Sequence, residues 1–192
     1  RILGALYFIN NIDDKDLVAR SRRSLIGNSV LFLVFFLSFV IRTLLADGYA
    51  VNPETGEVFM EPYKYLTNFI EMPLVLVLFL IGVVLVLFGI GKSLLKTKFD
   101  KGIWFTGIGT VLAVLALLLV AGYNNTAYYP STNDLQSSLT LANSCSSQFT
   151  LRVMFYVSFL VPFVLAYIFY AWRSIDIHKI SEKEMKDGGH AY

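Results

Sequence analysis

Long apolar stretches separated by polar links dominate the sequence. Four of them are long enough to cross a bilayer core of about 30 Å, which takes roughly 20 apolar residues as a helix. They cover residues 25–45, 73–90, 103–122 and 153–172. In the second stretch, 15 of the 18 residues are Leu, Val, Ile or Phe, and none is charged. The pattern predicts four transmembrane helices, because a core helix of a soluble protein would be shorter or would carry a polar stripe.

The composition indicates the same class of protein. Hydrophobic residues make up 56% of the chain and charged residues only 16%, against about 25% charged residues in a typical soluble domain. This balance excludes a soluble globular fold, a disordered tail and a nucleic-acid-binding module. The apolar runs do not alternate with polar residues as the strands of a membrane β-barrel do. The predicted fold class is therefore all-α, a polytopic membrane protein with four transmembrane helices in a bundle.

Basic residues predict the orientation of this bundle. Thirteen of the 16 Lys and Arg residues lie before the first span, between the second and third spans, or after the fourth. Loops rich in Lys and Arg stay on the cytoplasmic side. We therefore predict that both ends of the bundle, including the C-terminus, face the cytoplasm.

The chain divides into three parts. Residues 1–24 contain a short apolar run, 2–9, and a charged link; residues 25–172 form the predicted bundle; residues 173–192 form a predicted cytoplasmic tail. The run at 2–9 is too short to span a membrane. We interpret it as the end of an earlier membrane helix, and expect the chain to be the C-terminal part of a longer protein.

The two predicted outer loops differ in character. Residues 52–56 read Asn-Pro-Glu-Thr-Gly, a turn signal that predicts a short hairpin. The hairpin is either a docking surface or, as we favour, a plain connector. The second loop, 123–148, is rich in Ser, Thr and Asn, and its Tyr128 and Tyr129 suit the membrane interface.

Small residues and prolines predict details of the packing. Gly109, Ala113 and Ala116 share one face of the third span and would let another helix approach closely. Pro73 lies at the first turn of the second span, where its missing N–H costs little. Pro162 lies in the middle of the fourth span and predicts a kink, near which Ser158 is placed to satisfy a backbone carbonyl.

Residue chemistry gives no sign of a catalytic or metal site. The single cysteine, Cys145, excludes an intrachain disulfide and a cysteine cluster. The two histidines, His178 and His190, lie in the tail, so the sequence offers no facing pair of haem ligands. Three charged residues lie at span ends rather than at mid-depth; they are Arg42, Glu71 and Arg152. The sequence therefore predicts no proton relay through the spans.

A family resemblance emerges in the second outer loop and the fourth span. The pattern is Pro-Ser, Ser-Leu-Thr, then Ser-Ser-x-x-Thr-Leu-x-x-Met and a later proline, and it resembles the C-terminal end of subunit II of cytochrome bd-type quinol oxidases. The residues that carry the resemblance, which extends over nearly the whole chain, are Asp47, Gly48, Tyr49, Asn68, Phe69, Pro73, Asp100, Lys101, Trp104, Pro130, Ser131, Ser138, Leu139, Thr140, Ser146, Ser147, Thr150, Leu151, Met154 and Pro162. Arg152 and Glu71 depart from it, standing where uncharged polar residues are expected.

The resemblance implies a division of labour between two subunits. Subunit II would contain eight membrane helices in two bundles, and this chain would be the second bundle. Its partner, subunit I, would hold haems b and d and oxidise quinol, while dioxygen is reduced to water. The resemblance implies no cofactor, metal or catalytic residue in this chain; some members bind a structural quinone in subunit II, which it assigns to no residue here. The expected partners are subunit I, the N-terminal half of subunit II and membrane lipid.

Two other functions remain open at the level of the sequence. The chain could be half of a membrane transporter, for which only Pro162 gives a hint, or a membrane scaffold unrelated to respiration. For the oxidase subunit, we predict that the hydroxyl-bearing residues of the motif cap helix ends and fix the outer loop, with Ser147 or Gln148 capping the fourth span. These hydroxyl residues are Ser138, Thr140, Ser146, Ser147 and Thr150.

Overall fold

A computed structural model describes residues 1–96 and 99–175. Its elements in chain order are α1 (Ile2–Asn11), α2 (Lys15–Leu45), β1 (Gly48–Val51), β2 (Val58–Glu61), α3 (Lys64–Glu71), α4 (Pro73–Leu95), α5 (Gly102–Gly122), a 3-10 turn (Leu135–Ser137), α6 (Leu141–Ser144), α7 (Gln148–Ser158) and α8 (Val161–Ile175). Residues 176–192 of the predicted tail, His178 and His190 among them, lie outside the described residues.

The four predicted spans are confirmed as helices. By length and apolarity α2, α4, α5 and the segment Gln148–Ser174 can each cross a membrane. Helix α2 extends beyond the predicted span, because it begins at Lys15 whereas the apolar stretch begins at residue 25. The reason is a cap, since the Asp14 carboxylate accepts a hydrogen bond of 2.8 Å from the Leu17 backbone N–H. Apolarity marks where lipid begins, whereas the cap marks where the helix begins.

Helices α4 and α5 form the closest pair in the described bundle. Gly109, Ala113 and Ala116 are all buried on α5, which confirms the predicted face of small residues. A Cβ built on Gly82 of α4 would lie 2.6 Å from the Ala113 backbone nitrogen and 2.8 Å from the Gly109 carbonyl oxygen. The two backbones are therefore in direct contact, and glycine on α4 is what allows it.

Helix α1 packs at the opposite end of the bundle from the loops. Its Leu6 and Ile9 are buried with Leu25 of α2 in one apolar cluster. The helical prediction for residues 2–9 is confirmed, and α1 continues to Asn11. That α1 ends an earlier membrane helix stays a prediction.

The fourth span is broken near Pro162, as predicted. Helix α7 ends at Ser158 and α8 begins at Val161. Pro162 has no N–H to continue the ladder, and the Phe159 and Leu160 amides turn back to carbonyls three residues earlier. The Ser158 hydroxyl donates to the Phe155 carbonyl at 2.6 Å, one turn before the break.

Candidate functional site

Both predicted outer loops lie at one end of the helices and form what we call the outer layer, residues 48–71 and 123–147. The predicted hairpin is confirmed: β1 and β2 pair antiparallel, and Gly56 supplies the positive φ of 73° that the turn needs. The second loop adds to its free edge. The Ala127 N–H donates to the Tyr49 carbonyl at 2.9 Å, and the Val51 N–H to the Asn125 carbonyl at 2.7 Å.

A buried polar cluster joins this outer layer to the membrane helices. Asn68 of α3 is fully buried, and its amide donates to the Val120 carbonyl at 2.8 Å and to the Thr126 hydroxyl oxygen at 2.9 Å. Its side-chain oxygen accepts from the Asn124 amide at 3.0 Å. Asn124 also donates to the Glu71 carboxylate. One side chain thus connects α3, the last turn of α5 and the second loop.

A second set of hydrogen bonds joins the two outer loops at the β2 edge of the hairpin. The Gln136 side chain accepts from the Val58 backbone N–H at 2.9 Å and donates to the Val58 carbonyl at 2.8 Å. The Gln136 amide therefore pairs with Val58 as one backbone residue of a neighbouring β-strand would. It satisfies both the N–H and the carbonyl of Val58. Neither Gln136 nor the role of Asn68 was predicted from the sequence. Asn68 is one of the residues that carry the family resemblance, but the resemblance implied no function for it.

Buried and charged groups in the outer layer are also paired. Lys64 is buried, and its ammonium lies 3.2 Å from the Glu61 carboxylate. Burial raises the pKa of the Tyr65 hydroxyl above its usual value, and the nearby Tyr49 adds to this effect. The Lys64–Glu61 ion pair joins β2 to α3.

Comparison with known proteins decides the family. A family model described as cytochrome bd terminal oxidase subunit II matches residues 1–175. The chain belongs to this family. It is 32% identical over 136 residues to "Cytochrome bd-I ubiquinol oxidase subunit 2" from Escherichia coli strain K12, and equally so to that protein from strains O6:H1 and O157:H7. The alignment covers 70% of this chain and 34% of each relative, so the chain spans about a third of their length.

Several family-motif residues of this subunit II chain stabilise the second loop. Ser138 is buried; its hydroxyl oxygen accepts from the Ser131 N–H at 3.0 Å and donates to the Leu135 carbonyl at 2.6 Å. Leu139 pairs with Tyr129 through both backbone groups. Thr140 caps α6, accepting from the Asn143 N–H at 3.2 Å. These hydroxyls act in the way the sequence predicted.

The motif at the start of the fourth span caps it, as predicted. Ser147 is the N-cap of α7 and accepts from the Thr150 N–H at 3.3 Å. The Ser147 and Thr150 hydroxyls also lie 3.0 Å apart. Ser146 is exposed and makes no side-chain hydrogen bond with residues in the described part of the chain, so the structure gives it no capping role.

The remaining family-motif residues have separate places. Gly48 lies against α3, where a Cβ would come 2.5 Å from the Lys64 Cβ. Pro73 occupies the first turn of α4. The side chains of Trp104, Leu151 and Met154 are between 47% and 61% exposed. Asp47 precedes β1, Pro130 lies in the second loop, and Pro162 lies in the first turn of α8. The structure does not bring these residues together into one site.

Metal-ligating side chains do not cluster in the described part of this subunit II chain. Within residues 1–96 and 99–175, no group of three His, Cys, Asp or Glu side chains is placed to hold a metal ion. Met154 lies on α7 and is 61% exposed, and Met60 lies on β2 and is 48% exposed. Among the buried polar side chains, Asn68, Ser93 and Ser138 donate to backbone carbonyls. The buried hydroxyls of Ser29 and Thr106 have no hydrogen-bond partner within the part of the chain that the structure describes.

Proposed function

We propose that this chain is the second helical bundle of a haem-free subunit II, and that it supports quinol oxidation coupled to dioxygen reduction by pairing with a haem-bearing subunit I. The observation that carries the proposal is the family match over residues 1–175. The arrangement of the polar residues supports it, because the buried amides and hydroxyls fix the outer layer to the helices. The chain's own contribution is then a rigid lipid-embedded support for its partner.

Further parts of the proposal concern the whole complex. Haems b and d would reside in subunit I, and an N-terminal half of subunit II would supply the first helical bundle. The C-terminus would face the cytoplasm, which the basic residues of the α4–α5 link and of residues 1–24 favour. The structural quinone of some family members stays a prediction without an assigned residue.

Co-purification and an absorbance spectrum test this function together. An affinity tag on the full-length protein, expressed in its own host membrane, should retain a larger partner and show b- and d-type haem absorbance. Uptake of a substrate by vesicles containing the protein alone would instead favour a transporter half. Purification with neither haem nor uptake would favour a scaffold unrelated to respiration and would overturn the proposal.

A further inference from the structure

An amphipathic groove runs along an exposed side of α4 near its C-terminal end. It has a volume of about 520 Å³ and is lined by Leu87, Phe88, Gly91, Lys92, Leu95 and Lys96. Leu87, Gly91 and Leu95 follow one another at intervals of four residues, so they lie along one face of the helix. The groove therefore combines an apolar track with two ammonium groups at its end.

Gly91 makes the apolar track concave. A Cβ built on Gly91 would meet no atom within 4 Å, in contrast to Gly82, which α5 needs for its approach. Leu87 is 43% exposed on one side of Gly91, and Leu95 is 86% exposed on the other. No atom of the described residues packs against this position, and the missing side chain leaves an indentation between Leu87 and Leu95.

Lys92 is held over aromatic rings at the end of this track. Its ammonium lies 4.8 Å from the centre of the Phe88 ring and 4.6 Å from that of Phe99, a cation–π arrangement. No carboxylate lies within 4.0 Å of the Lys92 or Lys96 ammonium in the part of the chain that the structure describes; the ion pair found there joins Lys64 and Glu61. Two positive charges thus border an apolar groove without an anionic partner from the described residues.

The C-terminal carbonyl groups of α4 are themselves partly neutralised by a cation, which reduces their repulsion of an anion in the groove. The Arg22 guanidinium donates to the Ser93 carbonyl and lies 3.4 Å from the Lys96 carbonyl oxygen and 3.5 Å from that of Phe99. A helix C-terminus carries partial negative charge on such carbonyls. Arg22 therefore offsets part of the negative charge that these carbonyls place near Lys92 and Lys96.

We propose that this groove binds an anionic phospholipid. Its phosphate contacts the Lys92 and Lys96 ammonium groups, and one acyl chain lies along Leu87, Gly91 and Leu95. Basic pockets at the ends of transmembrane helices favour such headgroups over zwitterionic ones. The proposal requires α4 to lie in a membrane but does not require the oxidase activity, so either proposal can fail without the other.

Native mass spectrometry of the full-length protein in its purified complex tests the site. The sample is delipidated in detergent and titrated with phosphatidylglycerol or with phosphatidylcholine of the same acyl chains. The wild type should bind one phosphatidylglycerol more tightly than any phosphatidylcholine. K92Q/K96Q should weaken that binding about thirtyfold, because each basic residue at an anionic surface contributes roughly a fivefold gain in affinity.

Matched variants separate a site from general surface charge. K101Q removes a charge from the same link but not from the groove, and should leave the affinity unchanged. G91L fills the indentation and should weaken binding, whereas G107L, at another glycine with no atom within 4 Å of its Cβ position, should not. K92R/K96R keeps both charges and should retain tight binding, which distinguishes loss of charge from loss of fold.

Three results would overturn the proposal. The first is equal phosphatidylglycerol affinity in the wild type and K92Q/K96Q. The second is a loss in K101Q as large as that in K92Q/K96Q, which would indicate diffuse attraction. The third is displacement of the lipid by an equal concentration of glycerol 3-phosphate, which would show that the groove recognises a soluble phosphate and that the acyl track contributes nothing.

Discussion

The α4–α5 pair and the outer layer are held together by different physical means. Between α4 and α5, the contact depends on missing atoms, because Gly82 and the small residues of α5 let two backbones touch. In the outer layer, the contact depends on specific polar atoms, because Asn68 and Gln136 satisfy backbone groups that no helix or sheet satisfies. The lipid environment explains the difference between the two regions. Apolar side chains gain little free energy by leaving lipid, so close packing must supply the attraction between α4 and α5.

If this contrast is correct, adding atoms should damage the helix pair most. G82L places a side chain against the Ala113 backbone, which cannot move aside as a flexible side chain would, and should cost at least about 3 kcal/mol. We expect loss of the monodisperse complex in size-exclusion chromatography. G107L adds the same atoms where a Cβ meets no neighbour within 4 Å and should be tolerated. A normal elution profile for G82L would refute the close approach.

In the outer layer, we expect substitutions that remove polar side-chain atoms to lower the stability of the protein. N68A leaves the Val120 carbonyl without its side-chain donor and the Asn124 amide without one acceptor. Unmet buried partners cost about 1–3 kcal/mol each, so we expect a loss of about 2–4 kcal/mol in thermal stability. N68D keeps the shape but cannot donate, and should be equally harmful.

The control for Asn68 is its neighbour on the same helix. T67A removes a hydroxyl that lies outside the cluster and should change the unfolding temperature little. If N68D is as stable as the wild type, the shape of residue 68 matters and its donated hydrogen bonds do not.

Gln136 should matter less and more locally, because it lies at the surface. Q136A loses two hydrogen bonds of about 0.5–1.5 kcal/mol each, and should increase amide hydrogen exchange at Val58 and in β2 while leaving α4 and α5 protected. Q136E retains an acceptor for the Val58 N–H but not a donor for its carbonyl, and should give an intermediate effect. Unchanged exchange at Val58 would show that β2 is held by β1 alone.

The sequence predicted features that depend on neighbours along the chain and missed those that depend on distant ones. The small face of α5, the hairpin turn at Gly56 and the Ser147 cap follow from spacings of at most seven residues. Asn68 and Thr126 are 58 residues apart, and Gln136 and Val58 are 78 apart. No local pattern indicates such partners. The start of α2 at Lys15 also lies outside what the apolar run predicts, because that run predicts the extent of the membrane and Asp14 sets the start of the helix.

The cap of the fourth span should have the smallest effect on the isolated protein. S147A/T150A removes the N-cap oxygen and the hydroxyl that contacts it, at a cost of about 1 kcal/mol. S146A, one residue earlier and without a hydrogen-bonded side chain, is the matched control and should change nothing. Within the complex, the double variant should lower the yield while the haem absorbance per assembled complex stays normal, since capping a helix does not touch a haem. Altered haem spectra at full occupancy would place this end of the fourth span against the redox centre, and the division between polar fastening and haem chemistry would then be wrong.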